Sequence, residues 1–275
     1  MARPLRQPDL RITALLPHDR VLLRARDQPE PGWMKRWIYT PSPLLDKTLA
    51  ESLTTFPRDP TLTVYGLRLF GMIFLRAFFA TYFRLRVPGR ERIPKAGPFL
   101  LVANHTSHLD AVALACALPV KQWHHAYAAA AQDYFFHGVF RALVAVVFTN
   151  ALPFDRRDDP KHSLELCADL LHVSREALIM FPEGTRSSDG SLQNFRNGIG
   201  RLVAGTSTPV VPAYIDGAFR AWPRGSVVPM PRRVTVRIGE SRRYDDTPPT
   251  REGAIAVAAD LHQAVLELRE CGPSS

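Results

Sequence analysis

Hydrophobic and polar positions fall into two periods along this chain. Short apolar runs occur at FLLVAN (99–104), ALIMF (177–181) and PVVPAYI (209–215), with a further β-rich run at RRVTVRIG (232–239). Runs of this length, bounded by turn residues, read as strands of a covered sheet. Between them, residues 107–118, 133–143, 161–176, 195–206 and 251–270 carry apolar positions at helical spacing. Residues 144–152, VAVVFTNAL, are β-rich, and HHAYAAAA (124–131) stays open: alanine favours a helix there, and the place in the order favours a strand. Strands alternating with helices predict an α/β fold, a mostly parallel central sheet flanked by helices over residues 93–275.

Ahead of that region, LTVYGLRLFGMIFLRAFFATYFRLR (62–86) is the most apolar stretch, and it carries Arg68, Arg76, Arg84 and Arg86. Arg76 sits in its middle, where a spanning helix would suffer a penalty of about 2.5–3.5 kcal/mol near the bilayer centre. A helix lying in the membrane interface can keep its aromatic face in lipid while arginines reach headgroup phosphates. Residues 61–92 are therefore expected to be an amphipathic interfacial segment, ended by Pro88 and Gly89; an ordinary packing helix is the alternative. Residues 1–60 carry prolines at a density that interrupts helices and strands, which predicts an extended basic arm. Its Trp33, Trp37 and Tyr39 surround Lys35 and Arg36, a mixture that suits either a headgroup layer or docking on the main domain.

Composition narrows the picture. Of 275 residues, 46% are hydrophobic, enough for a substantial core, and the net charge of +9 points to an anionic partner (acidic lipid, a phosphorylated substrate or nucleic acid), with a well-solvated basic surface as the alternative. The arginines are dispersed and no nucleic-acid-binding module is present, so nucleic acid is not expected. Cys116, Cys167 and Cys271 are far apart, which suggests neither a disulfide framework nor a thiolate metal site and fits a reducing compartment. The N-terminus lacks the uninterrupted apolar core of a signal peptide.

The chemistry concentrates in four blocks. In VANHTSHLDAV (102–112) a strand ends at Asn104 and a helix is expected to begin near Ser107, with Ser107 and Asp110 at capping-box spacing. Across that turn Asp110 can accept a hydrogen bond from one nitrogen of His105 and leave the other free as a base. Taken alone, the pair also fits a capped helix beside a satisfied histidine, and His105, His108 and Asp110 make a weak metal set; no metal is expected. In FPEGTRSSDG (181–190), Pro182 and Gly184 turn the chain at the C-terminal end of a strand, the edge at which open α/β sheets bind ligands. Glu183 and Arg186 project there, Thr185 and Ser187 add hydroxyls, and arginine grips phosphate with paired donors. NALPFDRRDDP (150–160) offers Arg156 at the same edge, although its acids also neutralise it locally. PVVPAYIDGA (209–218) shapes the pocket without contributing chemistry.

NHxSxxD, PFDR, FPEGTRS and VVPxxI blocks in this order resemble the 1-acylglycerol-3-phosphate acyltransferases and related glycerolipid acyltransferases, over roughly residues 64–240. The resemblance implies a glycerol-3-phosphate acyltransferase-like fold with an interfacial N-terminal helix. It implies His105 as general base, Asp110 as the residue that orients it, and Arg156, Glu183, Gly184, Thr185 and Arg186 at the glycerol phosphate; Arg196 is a further phosphate candidate. The implied reaction moves an acyl group from acyl-CoA or acyl-acyl carrier protein, as co-substrate, to the free hydroxyl of 1-acylglycerol 3-phosphate, with no cofactor. Another lysophospholipid, glycerol 3-phosphate or an acyl-aminolipid as acceptor is the alternative, and a non-catalytic lipid-binding protein is the second. The implied partner is the bilayer surface, with the protein peripheral or monotopic on the cytoplasmic face of the cell membrane. Backbone amides near Gly184 or in the 105–107 turn are the expected oxyanion donors. Pro153, just before the PFDR block's phenylalanine, replaces the apolar β-branched residue usual in the family, which makes that block the loosest match.

Overall fold

A computed structural model describes residues 62–131, 152–154, 160–223, 226 and 228–271. The expectations for residues 1–60, for a helix over 133–143, for a strand over 144–151 and for Arg156 lie outside the described residues.

The first described element is helix α1, Leu62–Thr81. Strand β1 (Phe99–Ala103), helix α2 (Asp110–Ala117), strand β2 (Ala126–Ala131), strand β3 (Leu152–Phe154) and helix α3 (Pro160–Ala168) follow, the last running on as a wide turn over Asp169–Val173. Then come β4 (Ala177–Met180), α4 (Gly198–Val203), β5 (Val210–Asp216), the single turn α5 (Ala218–Ala221), β6 (Thr235–Ile238) and α6 (Arg251–Glu270). Among the described residues the strands form one six-stranded sheet in the order β3-β2-β4-β1-β5-β6. Neighbours pair in parallel, except that β6 runs antiparallel to β5.

The sheet is covered on both sides, which is why its central strands carry no polar side chain. All five residues of β1 are buried. Phe99, Leu101 and Ala103 face a core shared with Phe79, Phe83 and Leu114, whereas Leu100 and Val102 face one shared with Ile199, Val257 and Leu261. That alternation places α1 and α2 on one face and α4 and α6 on the other. Within the open segment 124–131, Ala126–Ala131 resolves as a strand because it lies inside the sheet, between β3 and β4, where a helix could not complete the ladder. On the other face α4 and α6 touch at Gly200, where a Cβ would lie 2.1 Å from the carbonyl oxygen of Ala254; only glycine allows that approach.

Helix α1 differs from expectation in two ways. It stops at Thr81, well before Pro88, because Arg84 turns left-handed (φ 47) and the chain then pairs with the sheet edge beside β6, through Val234 N–H to Phe83 O and Arg86 N–H to Val234 O. Arg76 does not reach outward to headgroups: its guanidinium lies 5.6 Å over the ring of Trp123, part-buried against the domain. A cation–π contact explains a charge in the middle of the most apolar helix. Among the described residues no helix is long and apolar enough to cross a membrane.

Candidate active site

The sheet order brings the two principal motifs together. From β1 the chain crosses over β4 to reach β2, and from β4 it crosses over β1 to reach β5. Connections leaving adjacent strands in opposite directions open a crevice at their carboxyl ends. His105 follows β1 and Glu183 follows β4, so both loops border that crevice.

The turn after β1 is built by side chains. Asn104, buried, acts as one more residue of the ladder: its side-chain amide donates to Ile215 O (3.0 Å) and accepts from Ile215 N–H (2.7 Å). Asp110 is fully buried, and its Oδ2 takes the N–H groups of Thr106 (2.6 Å) and Ser107 (2.7 Å) and contacts His105 Nδ1 (2.9 Å). Only half of the expected capping box forms. The carboxylate reaches back to the Ser107 N–H, but the serine hydroxyl accepts from Leu109 N–H (3.2 Å) rather than Asp110 N–H, and donates to Trp222 O (2.8 Å). The helix accordingly starts at Asp110 rather than Ser107. Three donors on one oxygen fix the carboxylate, and the carboxylate fixes the ring.

The second loop grips the same histidine. His105 N–H donates to Glu183 Oε1 (2.9 Å), His105 O accepts from Ser187 N–H (2.8 Å), and the imidazole stacks on Phe181 at 4.2 Å between ring centres and 16° between planes. Its side chain keeps 23% exposure. Nδ1 is held, and Nε2 has no hydrogen-bond partner among the described residues. That is the arrangement a general base requires: one nitrogen tied to a buried acid, the other not engaged by it, on a ring that keeps some exposure.

Glu183 was expected at a bound phosphate, and the structure puts it under the turn, 3% exposed. Burial pushes its carboxyl up to about 8, the nearby Asp110 charge adds to the rise, and backbone hydrogen bonds from His105 and Gln193 oppose it. A carboxyl so placed braces the His105 backbone. Gly184 beside it has φ +73, and a Cβ there would lie 2.6 Å from Arg196 Nε, so the glycine is the floor on which that guanidinium rests. Arg196 is exposed and its N–H donates to Pro182 O (2.9 Å). Arg186 is half-buried, its Nη1 2.9 Å from His108 Nδ1. Thr185 is exposed at the turn, and the Ser187 hydroxyl is turned to Asp189 (2.8 Å).

The structure thus brings His105, Asp110, Glu183, Gly184, Thr185, Arg186 and Arg196 together in the two joined loops that follow β1 and β4. The expected oxyanion donors are otherwise engaged: the amides of His105, Thr106 and Ser107 bind carboxylates, and that of Gly184 donates to Phe181 O (3.1 Å). Sequence reasoning missed Phe181 as the platform for the ring. It also missed Trp222, whose ring lies 5.3 Å from His108 and whose carbonyl anchors Ser107. An aromatic residue directly after β4 was a usable signal for the first; nothing local to Trp222 marked the second.

Residues 84–216 match the family model described as Acyltransferase. A 1-acyl-sn-glycerol-3-phosphate acyltransferase of Limnanthes douglasii is 27% identical over 165 residues, covering 59% of this chain and 56% of that protein. The alpha form from Mus musculus is 25% identical over 154 residues, covering 54% and 51%. The chain spans about half the length of these relatives. The crystal structure of PlsC, the 1-acyl-sn-glycerophosphate acyltransferase of Thermotoga maritima, has the same fold, with a TM-score of 0.58 at 21% identity over 82% of this chain and 89% of that one.

Proposed function

On the match of residues 84–216 to the acyltransferase family model, we propose that the protein transfers a fatty acyl group from a thioester to the free hydroxyl of 1-acylglycerol 3-phosphate, giving phosphatidic acid. The observation that carries this reading is the buried Asp110 at 2.9 Å from His105 Nδ1, with the ring still 23% exposed.

His105 Nε2 removes the proton of the acceptor hydroxyl as its oxygen attacks the thioester carbonyl carbon. Asp110 offsets the positive charge that develops on the ring. The tetrahedral intermediate collapses, the carbon–sulfur bond breaks, and the imidazolium returns its proton to the departing thiolate, so the histidine ends as it began. Positioned general-base help of this kind contributes about 10²–10⁴ in rate. Arg186 and Arg196 flank the crevice and supply the paired donors that a phosphate monoester requires. Glu183 acts through the His105 backbone, its buried Oε1 accepting the His105 N–H. The two buried cysteines do not serve as nucleophiles: burial pushes the Cys116 and Cys167 thiols up to about 12, leaving almost no thiolate at neutral pH.

Both acceptor and donor carry long acyl chains, and α1 presents Phe70, Ile73 and Phe74 outward. We read α1 as lying in the surface of a membrane that holds the acceptor. The donor is an acyl-CoA or an acyl-acyl carrier protein, and the protein is placed as a peripheral or monotopic one on the cytoplasmic face. The test is thioester-dependent acylation of a panel containing 1-acylglycerol 3-phosphate, glycerol 3-phosphate, other lysophospholipids and an acyl-aminolipid, followed by product mass. Phosphatidic acid as the dominant product is expected. Faster conversion of another acceptor would replace the assignment, and no acyl ester from any of them would refute it.

A further inference from the structure

Two of the places where the described surface exposes large apolar side chains meet. One is the stripe on α1 carrying Phe70, at 71% exposure, with Ile73 and Phe74. The other lies between α5 and β6, where Val228 is 67% exposed and Met230 44%. Residues 70, 74, 78 and 82 are four apart and so share one helix face as far as α1 runs. Phe74 stacks on Phe78 (6.5 Å), Phe78 stacks on Tyr82 (4.9 Å), and the Tyr82 hydroxyl donates to Pro229 O (3.0 Å). Arg84 Nη2 donates to Pro231 O (3.4 Å). An aromatic ladder therefore runs from the exposed end of the stripe to the segment that carries Val228 and Met230.

The charge around these groups has one sign. Residues 61–90 contain no Asp or Glu, and neither do residues 217–239, while Arg84, Arg86, Arg232 and Arg233 are exposed. Apolar side chains ringed by arginines, without an acid among them, match the boundary between acyl chains and anionic headgroups. The segment is also joined to the site. Met230 N–H donates to Ala221 O (2.7 Å), and the next residue, Trp222, takes the Ser107 hydroxyl at the start of the catalytic turn.

We propose that residues 228–233 are a second foot, which docks with α1 on an anionic bilayer: Val228 and Met230 enter the acyl boundary, and Arg232 and Arg233 contact headgroup phosphates. This rests on the reading of α1 as interfacial and adds a contact that α1 does not supply. The foot sets the crevice at a fixed height over the leaflet, because it is tied to Trp222.

The full-length protein is mixed with phosphatidylcholine vesicles with and without phosphatidylglycerol, and the bound fraction is measured by flotation. V228E/M230E is expected to lower the partition coefficient about tenfold on anionic vesicles. R232A/R233A is expected to lower it about tenfold on anionic vesicles and to leave it unchanged on neutral ones. In both variants the rate with a monomeric short-chain acceptor stays at the wild-type value, so loss of docking and failure of the catalytic reading are read separately. M230C in a C271S background, carrying an environment-sensitive dye, is expected to shift to the blue on anionic vesicles. Wild-type partition in both double variants, or an unshifted dye, overturns the proposal. So does loss of self-association in V228E/M230E with partition intact, which would make the surface an interface between copies of the chain.

Discussion

His105 is held at four points: its ring by Asp110 and Phe181, its backbone by Glu183 and Ser187. Each removes a freedom that the imidazole would otherwise have to give up in the transition state, which is how positioning lowers a barrier. Glu183 is the least obvious of the four, and its own titration reports on it. Between its ordinary value of 4.5 and about 8, the unfolded chain holds this carboxyl ionised while the folded protein keeps it protonated. The folded state then binds more protons, so this group's contribution to stability is complete below about pH 4.5 and is lost as pH rises through 8. Glutamine does not titrate. Stability of the wild type relative to Glu183→Gln should therefore fall with pH across that window, by up to about 1.4 kcal/mol per pH unit. Denaturant unfolding of both proteins at a series of pH values measures it, and a flat difference would mean that the carboxyl is ionised in the folded protein. If Arg186 grips the phosphate as proposed, Arg186→Ala should raise KM for the phosphorylated acceptor about tenfold or more and change kcat less. Steady-state kinetics separate the two. At this scale the motif spacing made the contact between His105 and Asp110 legible. The inward turn of Glu183 was not, because a Pro-Glu-Gly turn fixes where the chain bends and leaves open which side chain faces the core.

At the scale of elements, the site depends on β1 lying between β4 and β5. Asn104 extends that pairing one residue past the strand, with both its amide groups matched to Ile215. Asn104→Ala would leave a buried N–H and C=O of Ile215 unpaired and should destabilise the protein by about 2–4 kcal/mol, seen as a lower denaturant midpoint. The strands were legible because unbroken apolar runs leave few other structures open to them. Helix α6 matches its expected span because Thr250 caps it, accepting from Gly253 N–H (3.2 Å). The helix expected over 195–206 shrinks to Gly198–Val203, since Phe195 and Arg196 are drawn back to the FPEGTR turn, where Arg196 N–H meets Pro182 O. The helix expected from Ser107 loses its first turn to Asp110, which spends its carboxylate on the residues before it. Both shortfalls come from contacts distant in sequence or specific to a turn, which periodicity does not carry.

For the whole molecule, the two buried cysteines report on opposite faces of the sheet: Cys116 lies in the core with α1 and α2, Cys167 in the core with α4 and α6. Cys271 is exposed. Under native conditions a thiol reagent should modify Cys271 quickly and the other two slowly. If the described domain opens as one unit, Cys116 and Cys167 will react at the same rate, a rate set by global unfolding. Mass-resolved labelling measures this; a faster Cys116 would show that the face carrying α1 opens separately.

The account depends most on the imidazole that closes β1, and its direct test is the rate of acyl transfer to 1-acylglycerol 3-phosphate by His105→Ala, folded as judged by circular dichroism. A fall of about 10³ or more from the wild-type rate is predicted. Transfer at the wild-type rate would contradict it.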